Sequence, residues 1–134
     1  MESKRRRTFP SEIFFLPVLV GTLLPPPQAW SEDWQVAWKD SMTTLRVDKD
    51  SIRVKGQTVE YWYSEETDAL VDWAEYRYDA VSDCENNRLR LIRMYDPSTG
   101  QTKELESEWR DMSYDSQDPV KVMHEEVCRS YAAR

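Results

Sequence analysis

The chain has 134 residues and is acidic, with 25 aspartates and glutamates against 18 lysines and arginines and a net charge of −7. Because the phosphates of nucleic acids require a positive surface, this charge argues against a DNA- or RNA-binding protein. The length fits one domain with one core, close to the size at which a covalent crosslink helps.

Residues 1–29 have the pattern of an export signal. Residues 4–7 are all basic, residues 13–24 form a mostly apolar run, and Ala29 offers the small side chain that signal peptidase requires. We therefore expect cleavage after Ala29 and a mature domain at 30–134 that is periplasmic or secreted. Twelve residues are too few to cross a bilayer of about 30 Å, so we expect no stable membrane span, the alternative being a retained anchor.

Alternating apolar and polar residues predict strands over most of the mature chain. This period of two is typical of half-buried strands. The predicted strands are 34–39, 45–48, 52–54, 58–64, 70–79, 88–95 and 101–109, with an acidic loop at 64–68 and a tight turn at 96–100. We expect the first two to be neighbours and 88–95 to be a central strand. Strands followed by one helix indicate an α+β fold, an antiparallel sheet with a helix packed on one face.

A single helix is predicted at the end of the chain. Asp118 is a good N-cap, and Pro119 suits the first helical position because it has no N–H to leave unpaired. Apolar residues then recur at spacings of three and four and carry the second cysteine on or beside their face. These residues are Val120, Met123, His124, Val127, Cys128 and Tyr131.

The two cysteines, Cys84 and Cys128, have one possible intramolecular pairing. In an exported domain we expect them to form a disulfide, which would tie the helix to the sheet. The alternative is a buried free thiol in a cytosolic protein.

Several positions taken together resemble the surface-adhesin protein E-like domain family of bacteria. They are Trp34 or Trp38, Tyr61, Trp62, Cys84, residues 89–95, Gly100, Trp109 and Cys128. The resemblance covers nearly all of residues 30–134. It implies a sheet of about six antiparallel strands with the helix tied to it by the disulfide, and adhesion to host plasma or extracellular-matrix proteins. The chain differs from the family pattern in having no lipid-attachment cysteine after its apolar run.

The sequence gives little support for catalysis, a metal or a cofactor. His124 is the single histidine, and its place on the helix favours a packed residue over a ligand. Acidic groups at 65–68 and 111–118 match no calcium-loop pattern, and a solvated face explains them better. We predict that the protein is not an enzyme and has no catalytic, metal-binding or cofactor-binding residues.

Aromatic residues are the remaining functional signal, because six tryptophans and seven tyrosines exceed what a small core buries. We expect a partner-binding patch on the sheet face opposite the helix; its candidate residues are Trp62, Trp73, Tyr76 and Tyr78, and Trp30 is a further candidate. The alternative is a second core layer. A flat ligand such as haem could also lie on such a patch, although the sequence offers no pair of axial ligands.

Two functions of different classes follow from these patterns. The first is an exported, non-enzymatic binding module that engages a host or envelope protein, or a second copy of itself, through the aromatic face. The second is a periplasmic small-ligand carrier or small hydrolase with an aromatic and acidic cleft. A flat or convex patch would favour the first, whereas a closed cavity with convergent polar groups would favour the second.

Overall fold

A computed structural model of the chain describes residues 33–69, 72–113 and 118–133. The predicted signal peptide and Trp30 lie outside these residues. The described elements are β1 (Trp34–Lys39), β2 (Thr43–Asp48), β3 (Arg53–Lys55), β4 (Thr58–Ala69), β5 (Asp72–Asp83), β6 (Arg88–Asp96), β7 (Gln101–Glu104), β8 (Arg110–Asp111) and α1 (Pro119–Tyr131). Of the helices in the described ranges, none has the length and apolar character needed to cross a membrane.

The strands form one antiparallel sheet in the order β1-β2-β4-β5-β6-β7. The short strands β3 and β8 pair with β4 and β6, respectively. The predicted antiparallel sheet with one terminal helix is therefore confirmed, and β1 and β2 are neighbours as expected. The strand number of about six was wrong, because the sheet has eight strands. The central positions belong to β4 and β5, and β6 lies next to the edge formed by β7 and β8.

The acidic segment 64–68 was predicted as a loop but belongs to strand β4. Its backbone is paired with β2 on one side and β5 on the other, and the Asp68 N–H donates to the carbonyl of Met42 at 2.7 Å. The Glu66 carboxylate also forms an ion pair with Arg46 on β2. Hydrogen bonding on both sides outweighs the weak strand propensity of the acidic residues.

The strand predicted at 101–109 is shorter than expected and interrupted. It ends at Glu104, and the next strand begins only at Arg110. In the gap, the Leu105 N–H still donates to the carbonyl of Ile92 on β6 at 2.8 Å. Further along, a side chain replaces the backbone ladder, since the Leu91 N–H of β6 donates to Ser107 Oγ at 3.1 Å. The predicted inner face of this strand is not formed in β7, where all four residues are exposed.

The helix covers one face of the sheet and closes the core. It begins as predicted, with Asp118 Oδ1 accepting a hydrogen bond from the Val120 N–H at 2.9 Å. Its buried residues meet alternate side chains of the sheet. The buried apolar residues are Leu45, Val47, Val59, Tyr61, Tyr63, Ala80, Leu89, Met112, Met123 and Val127.

The predicted disulfide between Cys84 and Cys128 is present and joins the end of β5 to the last helix. The two Cα atoms are 5.6 Å apart. Cys84 is held to the sheet by its own N–H, which donates to the carbonyl of Gln57 at 2.8 Å. A native disulfide indicates an oxidising, non-cytoplasmic compartment.

Replacing both cysteines by serine should destabilise the domain strongly. The crosslink spans 44 residues, which corresponds to about 4 kcal/mol of stabilisation in the chain-entropy model. For a domain of this size we expect a melting temperature lower by roughly 15 to 30 °C. Calorimetry of the Cys84→Ser/Cys128→Ser protein, with reduced wild type as the control, measures the change. Equal melting temperatures for oxidised wild type and the double variant would contradict this account.

Candidate functional site

A chain of buried hydrogen bonds links the helix to the sheet beside the disulfide. The hydroxyls of Tyr61 and Ser82 are 2.8 Å apart, and His124 Nδ1 lies 2.9 Å from Ser82 Oγ. His124 Nε2 lies 2.9 Å from the side-chain oxygen of Asn87. Because this oxygen can only accept, Nε2 carries the proton and Nδ1 accepts from Ser82, whose oxygen in turn accepts from Tyr61. One proton arrangement satisfies all four groups.

These contacts resemble a serine–histidine pair of a hydrolase, but their location favours a structural role. Ser82 has 0% of its surface exposed, so a substrate has no route to its hydroxyl. Burial lowers the pKa of His124 and raises the pKa of Tyr61, which keeps both groups neutral at pH 7. His124 is thus a packed residue, as its place on the helix predicted.

The four candidate aromatics lie on both faces of the sheet. Tyr78 is opposite Tyr63 in the β4–β5 ladder and stacks on it at 5.3 Å between ring centroids, on the side of the core. Tyr76 precedes Tyr78 by two residues in β5, so its side chain lies on the same, core side of the sheet. Trp62 and Trp73 occupy the alternate positions of β4 and β5 and point to the opposite side, which we call the outer face.

The predicted single aromatic patch is therefore not formed by these four residues. Trp62 is opposite Asp79, six residues along β5 from Trp73, which separates the two indoles by about 20 Å along the strand. Trp73 is 59% exposed and Tyr76 is 37% exposed, whereas Trp62 and Tyr78 are half-buried.

A different set of aromatics meets on the outer face. The guanidinium of Arg77 lies 5.2 Å from the ring centre of Trp34 and 5.8 Å from that of Tyr95. These distances are within the range of cation–π attraction. Trp34 comes from β1 and Arg77 from β5. Ser64 on β4, directly opposite Arg77 in the ladder, is small enough to let the two long side chains meet.

Ion pairs surround this contact. Arg77 Nε is 3.0 Å from a carboxylate oxygen of Glu75, and Arg46 pairs with Glu66. We call the set the outer-face cluster; it consists of Trp34, Arg46, Glu66, Glu75, Arg77 and Tyr95. With Ser64, five of these residues line a shallow, open depression of about 460 Å³; Tyr95 is not among the lining residues.

A buried acid lies further along the outer face. Asp79 is 2% exposed, and its Oδ1 makes no hydrogen bond within the described residues. Burial, with the nearby charge of Glu60 as the second cause, raises the pKa of Asp79 to about 7, although Arg93 opposes the shift. The Arg93 guanidinium lies 3.7 Å from Asp79 and 3.4 Å from Glu104.

The sequence did not identify the outer-face cluster because its members come from five different strands. Trp34, Arg77 and Tyr95 each lie in a predicted strand, but only the register across β1, β2, β4, β5 and β6 shows that they meet. In the described part of the chain, no group of three or more His, Cys, Asp and Glu side chains is placed to hold a metal ion.

Comparisons with known proteins add no family assignment: no family model, curated protein or solved structure matches the chain.

Ser82→Ala should destabilise the domain without any change of its surface. The substitution leaves the Tyr61 hydroxyl and His124 Nδ1 buried without partners, for a loss of about 2 to 4 kcal/mol. Denaturant unfolding measures it. The control is Ser113→Ala, which removes an exposed hydroxyl that donates to Asp111. A loss no larger than that of the control would rule out the proposed network.

Asp79→Asn should stabilise the domain at pH 8 but not at pH 4. The folded state keeps the Asp79 proton up to about pH 7, whereas the unfolded chain releases it near the ordinary value of 3.8. The folded state therefore binds more protons in this window, and wild-type stability falls as the pH rises through it. Asparagine resembles the protonated acid, so we expect the variant to melt a few degrees higher at pH 8. Melting curves of both proteins at both pH values test this. The same difference in melting temperature between Asp79→Asn and wild type at pH 4 and at pH 8 would contradict the raised pKa.

Proposed function

We propose that the protein is an exported, non-enzymatic binding module that engages a protein partner through the outer-face cluster. Its resemblance to surface-adhesin protein E-like domains supports a bacterial envelope or extracellular setting. The same resemblance makes host plasma or extracellular-matrix proteins the first partners to test.

The composition of the outer-face cluster is the observation that carries this proposal. Tryptophan, tyrosine and arginine are the residues that most often dominate the free energy of protein interfaces. Here Arg77 is held between the rings of Trp34 and Tyr95. A side chain fixed before binding loses less conformational entropy when a partner arrives, which favours affinity.

The charges of the cluster favour a protein partner over a small substrate. Arg46 and Arg77 already have carboxylate partners in Glu66 and Glu75. These groups line a shallow depression rather than an enclosed cavity, and small-molecule sites are typically deep and mostly apolar. The buried Ser82 and His124 are remote from solvent, so they do not favour the carrier or hydrolase function.

The export part of the proposal rests on two independent features. Residues 1–29 have the pattern of a signal peptide. The Cys84–Cys128 disulfide requires an oxidising compartment to form. A signal that is cleaved after Ala29 would release the domain into the periplasm or the medium.

Binding measurements with variants of the cluster test this function. The oxidised domain 30–134 would be immobilised and exposed to purified plasma and extracellular-matrix glycoproteins and to fractionated envelope proteins. For a protein that binds, we expect Arg77→Ala and Trp34→Ala each to weaken affinity at least tenfold. The control is Val54→Ala on β3, which removes an apolar side chain that is 43% exposed and lies outside the cluster.

Two results would contradict the proposal. One is an absence of saturable binding to any of these proteins. The other is equal loss of affinity in the cluster variants and in Val54→Ala, provided that all variants melt within a few degrees of wild type.

A further inference from the structure

Strand β5 has an open edge at its beginning. Its pairing with β6 runs from Asp83 only as far as Arg77, because β6 ends at Asp96 and turns away. Residues 72–76 of β5 are paired with β4 on one side. On the other side, no strand in the described ranges faces them.

The ladder fixes which backbone groups point to this open side. The Cys84 N–H donates to the Gln57 carbonyl, so the position just beyond Asp83–Thr58 is a hydrogen-bonded pair. Such pairs alternate along an antiparallel ladder without a bulge. Ala74 and Tyr76 therefore direct their N–H and C=O groups to β4. Trp73 and Glu75 direct theirs away from β4, into the open side.

A second contact agrees with this assignment. The Asp68 N–H of β4 donates to Met42 in the chain segment before β2 and so points away from β5. Asp68 is opposite Trp73, so their pair is one that exchanges no hydrogen bonds, as the alternation requires.

The open edge lies in a notch that has room for another chain. The notch has a volume of about 390 Å³ and is lined by residues 73–76 and the turn at 96–98. Trp73 and Tyr76 stand on its two sides and are among the most exposed large aromatic side chains of the described residues. A strand in the notch would have an aromatic contact on each face.

The two outermost strands of the sheet, β1 and β7, carry features that discourage strand addition. Strand β1 has a bulge between Val36 and Trp38, and β7 contains Lys103. Bulges and edge lysines are among the usual means of blocking an edge. The segment 73–76 contains no lysine or proline, and its ladder with β4 has no bulge.

The charge around the notch indicates a basic occupant. Glu75 and Asp96 line it, and the whole chain has a net charge of −7. Glu75 has its partner Arg77 on the outer face, while Asp96 accepts hydrogen bonds from Ser98. Arg77 balances the charge of Glu75, and the residues that line the notch include no lysine or arginine.

We propose that the edge formed by residues 73–76 binds an extended, basic segment of a partner protein as an additional strand. The segment would exchange hydrogen bonds with the backbones of Trp73 and Glu75 and alternate lysine or arginine with apolar residues. This inference rests on the proposed binding function and names the chemistry of the partner. Because Glu75 lines both the notch and the outer-face depression, one partner can contact both surfaces.

Amide hydrogen exchange of the oxidised domain tests the edge directly. In the free protein we expect the Trp73 and Glu75 amides to exchange much faster than those of Ala74 and Tyr76. A nine-residue peptide that alternates lysine and valine is the probe. At saturation it should slow exchange at Trp73 and Glu75 at least tenfold and leave Ala74 and Tyr76 nearly unchanged.

Substitutions and control peptides separate strand addition from simple charge attraction. Glu75→Pro removes an outward N–H without breaking the β4 ladder and should weaken peptide binding at least tenfold. Glu75→Gln keeps the N–H and should weaken it only a few-fold. Should Glu75→Pro fail to fold, a peptide with alternate amides N-methylated gives the same test on wild type, since one of the two methylation patterns should abolish binding.

Four outcomes would overturn the inference. The first is slow exchange of the Trp73 and Glu75 amides in the free monomer, and the second is equal peptide binding by Glu75→Pro and wild type. The third is that a glutamate–valine peptide binds as well as the lysine–valine peptide. The fourth is protection of these amides that rises with protein concentration in the absence of peptide. The last would assign the edge to a second copy of the chain. Loss of partner binding in Arg77→Ala but not in Glu75→Pro would leave the proposed function standing and remove only the edge.

Discussion

The disulfide between Cys84 and Cys128 and the hydrogen bonds beside it hold the helix on the sheet. His124 Nε2 is 3.8 Å from Cys128 Sγ, so the covalent link and the buried polar chain act at the same place. The crosslink reduces the number of conformations open to the unfolded chain. In the folded protein, the hydrogen bonds from His124 to Ser82 and Asn87 fix the orientation of the helix. With the helix fixed there, one face of the sheet becomes the core and the other must be stable in contact with water.

The outer face meets this requirement with paired charges instead of a second apolar layer. Arg46, Arg77 and Arg93 each lie near an acidic partner from a neighbouring strand or from two residues along the same strand. The side chains of Arg77 and Glu75 are only 18% and 15% exposed, so the loss of their hydration offsets much of the attraction between them. Asp79 is costly because burial disfavours its charge. The ion pairs of the outer face therefore add little stability. Their main effect is to hold charged and aromatic groups in defined positions on the surface. Such a pattern is of use to a protein that recognises a partner.

The sequence predicted the elements of this fold much better than their register. Asp118 and Pro119 located the helix start because capping is a local interaction, and the cysteine pair located the crosslink. The length of β4 through 64–68 was missed because hydrogen bonds from both neighbouring strands decide it. The same limit applies to the candidate site. Trp62, Trp73, Tyr76 and Tyr78 were grouped by composition, but alternation along β4 and β5 divides them between two faces. Arg77 came into the site only through its contacts with Trp34 and Tyr95, which depend on long-range pairing.

The open edge of β5 follows from a mismatch of strand lengths. Strands β4 and β5 have 12 residues each, whereas β6 has nine and turns at Asp96. The β4–β5 ladder therefore extends beyond β6, and among the described residues no strand pairs with the backbone of Trp73 and Glu75 on that side. Alternation places the side chain of Glu75 on the outer face beside Arg77 while its N–H and C=O point into the notch. A partner strand that hydrogen-bonds to the backbone of Glu75 would thus lie next to the Arg77–Glu75 ion pair and the cation–π contacts of Arg77. Glu75 would then take part in recognition through both its backbone and its side chain.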